Sequence, residues 1–402
     1  MASNGSIGLA TRAIRHPQFL RSADTVAPSW RRPAGSPTVQ SPRPDPLAIF
    51  GAGGDLGRKR LQPALFHLSD FVADCAELVD EPSGDETDGT GPGQRRHPFR
   101  QWLHAERDAE RLWEQLRVGA YRTAYLATPP DETAKLVDRL VDCAVQLVGV
   151  EKPWFPNLYG ARSVAARMNG HECRFRFIDH YLARPVVRWL FEQPDPLQFL
   201  LGGPITAING WLLEEAEPSS PAQSVGVSAD LLIHLVTVTH RLLPGCTTEV
   251  TRVEAGRYED APIPNETFAQ VDVVADSVDP VPISLTAAKG VPPETAGKML
   301  LVEGPDAILA IDFAHERAEL ITDRETQCLF QADDTCEAAY VHILRRLTSG
   351  DATVGLSISE AVGILGILDE ARRKFPDPPP QYEREGFAVS QTNLHVRPVL
   401  DD

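Results

Sequence analysis

The sequence predicts an α/β chain with a Rossmann-like N-terminal domain and a second α+β domain containing a mainly antiparallel sheet. Three observations predict it. Between residues 47 and 150, strand-like and helical segments alternate, the order that winds a parallel sheet. Glycines at 51, 53, 54 and 57 directly follow the first apolar run, where a parallel sheet turns its chain toward a ligand. Beyond about residue 170, short strand-like runs succeed one another with few helices between them.

Residues 1–44 are rich in Pro, Arg and Ser, show no period, and read as a flexible leader. The domain that follows covers 45–170. Its first strand is the apolar run Leu47 to Phe50. The turn after it, Gly51-Ala-Gly53-Gly54-Asp55-Leu56-Gly57, departs from the strict Gly-x-Gly-x-x-Gly pattern because Leu56 stands where the third glycine should be. Its lack of side chains still lets the backbone approach a pyrophosphate and aim helix N–H groups at it, and Arg58 in the first turn suits an anion. Leu61, Ala64, Leu65 and Leu68 then repeat at helical spacing. A polar loop from Glu81 to Gly93 precedes a helix near 98–116, a strand at Thr123 to Ala127 closed by Pro129 and Pro130, a helix from Asp131 to Cys143, and a strand at Val145 to Val150.

The second domain, 171–385, opens with a strand at Arg174 to Phe177 and an apolar helix through Phe191. Strands are expected at 207–213, 250–254, 268–274, 283–287, 299–303 and 308–312, with helices over 228–243, 336–348 and 358–372. Residues 386–402 form a C-terminal tail.

Composition narrows the function. The 402 residues are 42% hydrophobic, enough for a sizeable core in two domains. There is no apolar run of about 18 residues, so no membrane-spanning helix is expected, and the start carries no secretion signal. Six scattered cysteines give no metal or disulfide framework and suit a reducing cytoplasm. A net charge of −17 argues against nucleic acid as a partner while leaving room for a basic pocket that takes an anionic metabolite.

Three groups of residues carry candidate chemistry. Asp179 and His180 follow a strand, and His234 sits in a helix lined by Leu231, Leu232, Leu235 and Val238. Histidine accepts a proton near neutral pH and a carboxylate fixes its tautomer, the pair needed to take a hydroxyl proton as hydride leaves the same carbon. His234 equally reads as a partly buried helix histidine. Lys152 follows Val150-Glu151 at a strand end, where such sheets deliver ligand-facing residues, and also reads as an ordinary surface lysine. His180, Tyr181, Arg184 and Lys289 are suitable phosphate donors whose spacing alone does not converge them.

Several of these segments together resemble the glucose-6-phosphate dehydrogenase family. Ile49 to Phe66 is similar to its coenzyme loop and following helix, Tyr125-Leu-Ala-Thr-Pro-Pro130 and Val150-Glu-Lys-Pro153 to two further strand ends, and Ile178-Asp-His-Tyr-Leu182 to its substrate motif. Asn265-Glu-Thr-Phe268, Lys289 and Gly350-Asp-Ala-Thr353 recur in family order. The resemblance implies hydride transfer from C1 of glucose 6-phosphate or a related hexose phosphate to NADP or NAD, giving a lactone. It implies His234 as general base and Asp179 as its carboxylate partner. It places the coenzyme against Gly51, Gly53, Gly54, Asp55, Leu56, Arg58, Pro129 and Lys152, and the sugar phosphate against Lys152, His180, Tyr181, Arg184 and Lys289. It also implies a homodimer, or a dimer of dimers, through the second domain.

The departures are equally specific. No arginine appears between Arg60 and Arg95, where the family binds the 2′-phosphate of NADP, and Asp74 or Glu77 is placed to meet a ribose hydroxyl instead. Lys152-Pro-Trp-Phe-Pro-Asn157 puts aromatic bulk where the family has glycine, Arg184 replaces a lysine, and the family's sugar-facing aspartate is lost from the loop before His234. Two other readings therefore stand beside the hexose-phosphate dehydrogenase: a non-catalytic or regulatory paralogue, and a dehydrogenase of a nonphosphorylated sugar.

Overall fold

In the computed structural model, which describes residues 47–51, 56–61, 63–64, 109–168, 174–193, 197–215, 226–258, 265–332 and 336–382, two separate sheets divide the chain. The first is parallel, in the order β1 (Leu47–Phe50), β2 (Thr123–Leu126), β3 (Leu147–Glu151) and β4 (Arg174–Ile178). Helices α1 (Ala109–Arg117), α2 (Pro130–Val141) and α3 (Leu158–Met168) lie between these strands in the chain. β2 and β3 are buried along their whole length, which is why they read as unbroken apolar runs. α2 starts well because Pro130 occupies its first turn with Asp131 and Glu132 beside the positive helix end. β4 lies past residue 170, so the first sheet takes its last strand from beyond the expected domain boundary.

The second sheet has nine strands. Helices α4 (Pro185–Glu192) and α5 (Leu197–Leu201) precede β5 (Ala207–Glu214), and α6 (Ile233–Leu242) precedes β6 (Thr247–Tyr258), β7 (Phe268–Asp276), β8 (Val281–Lys289), β9 (Gly297–Glu303), β10 (Ile308–Asp312), β11 (Arg317–Ile321) and β12 (Thr326–Gln331). The chain closes with α7 (Cys336–Thr348), α8 (Ile358–Lys374) and β13 (Gln381–Tyr382). The strand order is β12-β11-β10-β9-β5-β8-β7-β6-β13, antiparallel except where β5 meets β8 and β6 meets β13. One face carries Ile208, Leu212, Leu285, Leu300 and Val302 into a core shared with Leu235 and Val238 of α6. That core continues into Val148 and Val150 of the first sheet.

Two returning helices fix the domains against each other. α7 covers the first sheet with Tyr340, Ile343, Leu344 and Leu347 packed on Ile49, Tyr125 and Leu147. Gly149 makes this possible, because a Cβ there would lie 2.9 Å from both Leu347 and Tyr125. α8 begins at a capping box made by Ser357 and Glu360 and packs on α3 and β6. Just before it, Leu356 and Phe177 exchange two backbone hydrogen bonds of 2.9 Å, which tie the end of β4 to this helix.

Within the described residues the expected strands and helices are present, with β6 extended to Thr247–Tyr258 from the expected 250–254; of the helix expected through Leu61, Ala64, Leu65 and Leu68, a π-helical turn Gly57–Leu61 and residues 63–64 are described, and Leu65 and Leu68 lie outside the described residues. The 228–243 helix divides into a π-helical turn, Ser228–Leu232, and α6. α3, α5, β11, β12 and β13 are additions to the expected elements. Of the helix expected near 98–116, Ala109–Arg117 is described, and the 1–44 leader, the 81–93 loop and the 386–402 tail lie outside the described residues. No helix among the described residues is long and apolar enough to cross a membrane.

Candidate active site

The ends of β3, β4 and β8 meet the start of α6. At the end of β4 the chain turns sharply because Asp179 Oδ1 accepts the Tyr181 backbone N–H at 2.9 Å. The same oxygen faces His234 Nδ1 at 2.6 Å, and both side chains are almost wholly buried. Asp179 therefore selects the tautomer that protonates Nδ1 and leaves Nε2 as the proton acceptor. Tyr181 stacks on the His234 ring at 4.2 Å and 19°, and His180 meets it edge-on at 4.6 Å. His180 in turn stacks on Tyr340 of α7 at 5.5 Å, so the helix that closes the first sheet also supports the site.

Beside this pair lies a second cluster. Asp230 sits in the π-helical turn four residues before His234, on the same side of the helix. Its Oδ1 accepts from Lys152 Nζ at 2.7 Å and its Oδ2 from Lys289 Nζ at 2.5 Å. Lys152 also donates to the Asp230 carbonyl at 2.7 Å. Lys289, the last residue of β8, stands opposite Glu214 in the register of β5 and lies 4.0 Å from its Oε2.

Burial sets the proton affinities. It lowers His234 below the ordinary imidazole value, although the Asp179 carboxylate pulls the other way. His180 is pushed well below it by burial and by His234. Burial opposes ionisation of Asp179, but the hydrogen bond and charge of His234 win and hold its carboxyl well below the carboxylate range. Asp230 is likewise held low by Lys152 and Lys289 against its burial. For Lys152 burial is overcome by Asp230, which raises the ammonium. The resulting state is a neutral histidine on an ionised carboxylate, beside two ammonium groups bridged by a second carboxylate.

Arg184 is directed elsewhere. Its Nε and Nη2 lie 2.7 and 2.6 Å from Glu316 Oε1, Nη2 also donates to the Phe313 carbonyl, and the guanidinium sits 5.1 Å over the Tyr181 ring. The other Glu316 oxygen accepts from Val186 N–H at 3.0 Å. Arg184 is thereby built into a buried ion pair that braces the turn carrying Tyr181.

The coenzyme residues are described in part. Gly51 has φ +78° and a Cβ there would fall 2.2 Å from the Ala127 carbonyl oxygen, so the turn requires glycine. Gly51, Pro129 and Lys152 follow the carboxyl ends of neighbouring strands β1, β2 and β3, the edge at which open parallel sheets take ligands. Leu56 packs half-buried against the α7 cluster, and Arg58 lies in the turn Gly57–Leu61. Gly53, Gly54 and Asp55, with Asp74, Glu77 and Arg95, fall outside the described residues. Asp179, His180 and His234 offer ligand atoms within 4.8 Å of one another, but Asp179 Oδ1 and His234 Nδ1 are already joined.

No protein-family model matches the chain, and no curated protein does. Solved structures do. The UDP-N-acetylglucosamine 3-dehydrogenase from Acidithiobacillus ferrooxidans is 14% identical with a TM-score of 0.56, covering 81% of this chain and 96% of its own. A 3-ketoreductase from Actinomadura kijaniata, in complex with TDP-benzene and NADP, is 15% identical with a TM-score of 0.56, over 82% and 97%. An inositol dehydrogenase homologue from Azotobacter vinelandii, complexed with NADH and myo-inositol, is 14% identical with a TM-score of 0.54, over 66% and 80%. The fold is that of an NAD(P)-binding oxidoreductase. At 14–15% identity the likeness is one of fold, and it bears out the coarser part of the glucose-6-phosphate dehydrogenase resemblance, a dinucleotide-binding oxidoreductase architecture. The short motifs that carry the narrower resemblance lie at strand ends, where open parallel sheets that take a dinucleotide share the same geometric demands.

Asp230, Glu214 and Glu316 are the site residues the sequence reading missed. Asp230 had a local signal, an acid one helical turn before the candidate base, but its lysine partners are distant in sequence.

Proposed function

We propose that this protein is an NAD- or NADP-dependent dehydrogenase that oxidises a hydroxyl of a nonphosphorylated sugar. The observation that carries the reading is the assignment of charges at the site. Lys152 and Lys289 share Asp230, and Arg184 is held by Glu316, so the three lysine and arginine side chains that the family resemblance places against its substrate are each bound to a carboxylate. A neutral polyol needs hydrogen-bond donors and acceptors at fixed positions, which this arrangement supplies. A UDP-N-acetylglucosamine 3-dehydrogenase among the solved structures of this fold supports oxidation of a carbohydrate hydroxyl, and an inositol dehydrogenase homologue complexed with NADH and myo-inositol supports a nonphosphorylated substrate.

The glycine turn and the strand ends beside it fit a dinucleotide, because the backbone is bare at Gly51. A nicotinamide dinucleotide held there would supply the hydride acceptor. The chain's own residues deal with the proton. Lys152 and Asp230 fix the reacting hydroxyl, and His234 Nε2 takes its proton while Asp179 stabilises the imidazolium. The retained His234–Asp179 pair disfavours a non-catalytic paralogue, since burying an ionised carboxylate beside a histidine is costly for a bare scaffold. The hexose-phosphate reading, with oxidation at C1, would leave the phosphate to His180 and Tyr181 unless a cation left its carboxylate.

His234→Asn tests the role of the base. Turnover should fall by about 100- to 10,000-fold, with sugar binding little changed. Asp179→Asn should also lower turnover by removing tautomer selection. An unchanged rate in His234→Asn, where chemistry limits turnover, would remove His234 from the mechanism.

A further inference from the structure

The hydrogen bond to Asp179 fixes one ring nitrogen of His234 and the tautomer, but a ring held at one atom can still swing about that bond and carry Nε2 with it. Tyr181 removes this freedom. Its ring lies nearly parallel to the imidazole, with centroids 4.2 Å apart and 19° between the planes. Resting on the dehydrogenase reading, we infer that Tyr181 is the positioning residue that aims Nε2 of the base at the reacting hydroxyl, and that the turn between β10 and β11 holds it there through Phe313, Arg184 and Glu316.

Tyr181 is itself fixed from several directions. The Asp179 oxygen that meets His234 Nδ1 also accepts the Tyr181 backbone N–H at 2.9 Å, so one atom sets the base and the ring stacked on it in register. Phe313 meets the tyrosine ring edge-on at 5.2 Å and 66°. The Arg184 guanidinium sits 5.1 Å over the same ring, held by Glu316 and by the Phe313 carbonyl. Phe313 therefore touches Tyr181 with its side chain and ties down Arg184 with its backbone.

The turn does more than reverse the chain. Among the described residues Glu316 is the one non-glycine position with a positive φ, +48°, a conformation that glycine adopts without steric cost. A glutamate stands there against that preference and is 1% exposed. Its side chain accounts for the choice: one carboxylate oxygen holds Arg184 and the other accepts the Val186 N–H that opens α4. The family resemblance places Tyr181 and Arg184 against a sugar phosphate. In this geometry the tyrosine ring is taken up by His234 and the guanidinium by Glu316.

The experiment measures kcat and KM for the wild type, Tyr181→Leu, Tyr181→Phe and Phe313→Leu on the best nonphosphorylated substrate, together with NMR relaxation at His234 Cε1 in each protein. Tyr181→Leu should lower kcat by about 10- to 100-fold with KM little changed, since a misplacement of about 1 Å costs up to that much. Tyr181→Phe keeps the ring and drops the hydroxyl, so it should recover most of the loss. Phe313→Leu should lower kcat to a smaller extent. The His234 ring should be rigid in the wild type and Tyr181→Phe and mobile in Tyr181→Leu. A Tyr181→Phe variant as slow as Tyr181→Leu, or one whose defect lies in KM, makes the hydroxyl a substrate contact and overturns the assignment. Wild-type kcat in Tyr181→Leu overturns it as well. If Tyr181→Leu does not fold, Phe313→Leu decides: a lower kcat with a loosened ring sustains the assignment, and wild-type kcat overturns it. If the wild type reduces coenzyme with no sugar, the dehydrogenase reading fails and relaxation alone judges the clamp. A His234 ring mobile only when the Tyr181 ring is lost then sustains it, and a ring equally rigid in every variant overturns it.

Discussion

Replacing Glu151 by Gln should change how stability depends on pH. Glu151 ends β3 with 2% exposure, accepts the Tyr125 hydroxyl at Oε2, and has no partner at Oε1. Burial raises its carboxyl from 4.5 to about 7; Tyr125 and Lys152 favour the ionised form and Asp179 opposes it, but none outweighs the loss of water. Between those two values the native state keeps a proton that the unfolded chain has lost. This stabilising contribution is therefore complete below pH 4.5 and disappears as pH rises through about 7. At about 1.4 kcal/mol per pH unit, the wild type loses roughly 3 kcal/mol across that window through this group. Gln keeps the shape and the tyrosine hydrogen bond but has no proton to lose. Urea unfolding at pH 5, 6, 7 and 8 on both proteins measures the difference, and the buried histidines cancel because they titrate in each. The variant should gain on the wild type steadily up to about pH 7 and then hold level. A difference that stays constant from pH 5 to 7 would refute a protonated Glu151.

Arg184→Met should destabilise the fold by about 3–5 kcal/mol, because Glu316 would remain buried without its counter-charge. Denaturant unfolding reads this; unchanged stability with lost phosphate-sugar binding would instead make Arg184 a substrate ligand. Gly51→Ala should lower both stability and coenzyme affinity, since left-handed backbone alone costs about 1–2 kcal/mol and the new Cβ meets the Ala127 carbonyl. Thermal melts with and without NAD and NADP give the comparison, and an unaltered Tm with unaltered coenzyme shift would count against the turn.

The first sheet was legible because its strands are buried on both faces, so Leu147 to Val150 and Thr123 to Leu126 appear as apolar runs between clear turn signals. β11 and β12 were not. β11 alternates Arg317 and Glu319 with Ala318 and Leu320 over only four residues before Ile321 breaks the pattern, and β12 buries none of its residues, so neither gives a strong strand signal. α3 has Leu158, Ala161, Val164 and Met168 at helical spacing, but two glycine-sized and alanine-sized positions, Gly160 and Ala161, blur its apolar stripe. At the site, residue type pointed to Asp179, His180, Lys152, His234 and Lys289, and the fold brings them together. Pairing was not legible, because charge partners separated by 78 or 132 positions leave no local pattern. Lys152 with Asp230 and Arg184 with Glu316 are the two cases, and they change what the cations are available to do.

Coenzyme reduction provides the most direct measurement, with NAD and NADP supplied separately and a panel of free sugars, polyols and glycosides set against hexose 6-phosphates. A sugar dehydrogenase whose cations are already paired should reduce coenzyme with a nonphosphorylated substrate, gain nothing from a phosphate, and lose turnover in His234→Asn. Reduction with glucose 6-phosphate alone, or none with any member of the panel, would contradict the account.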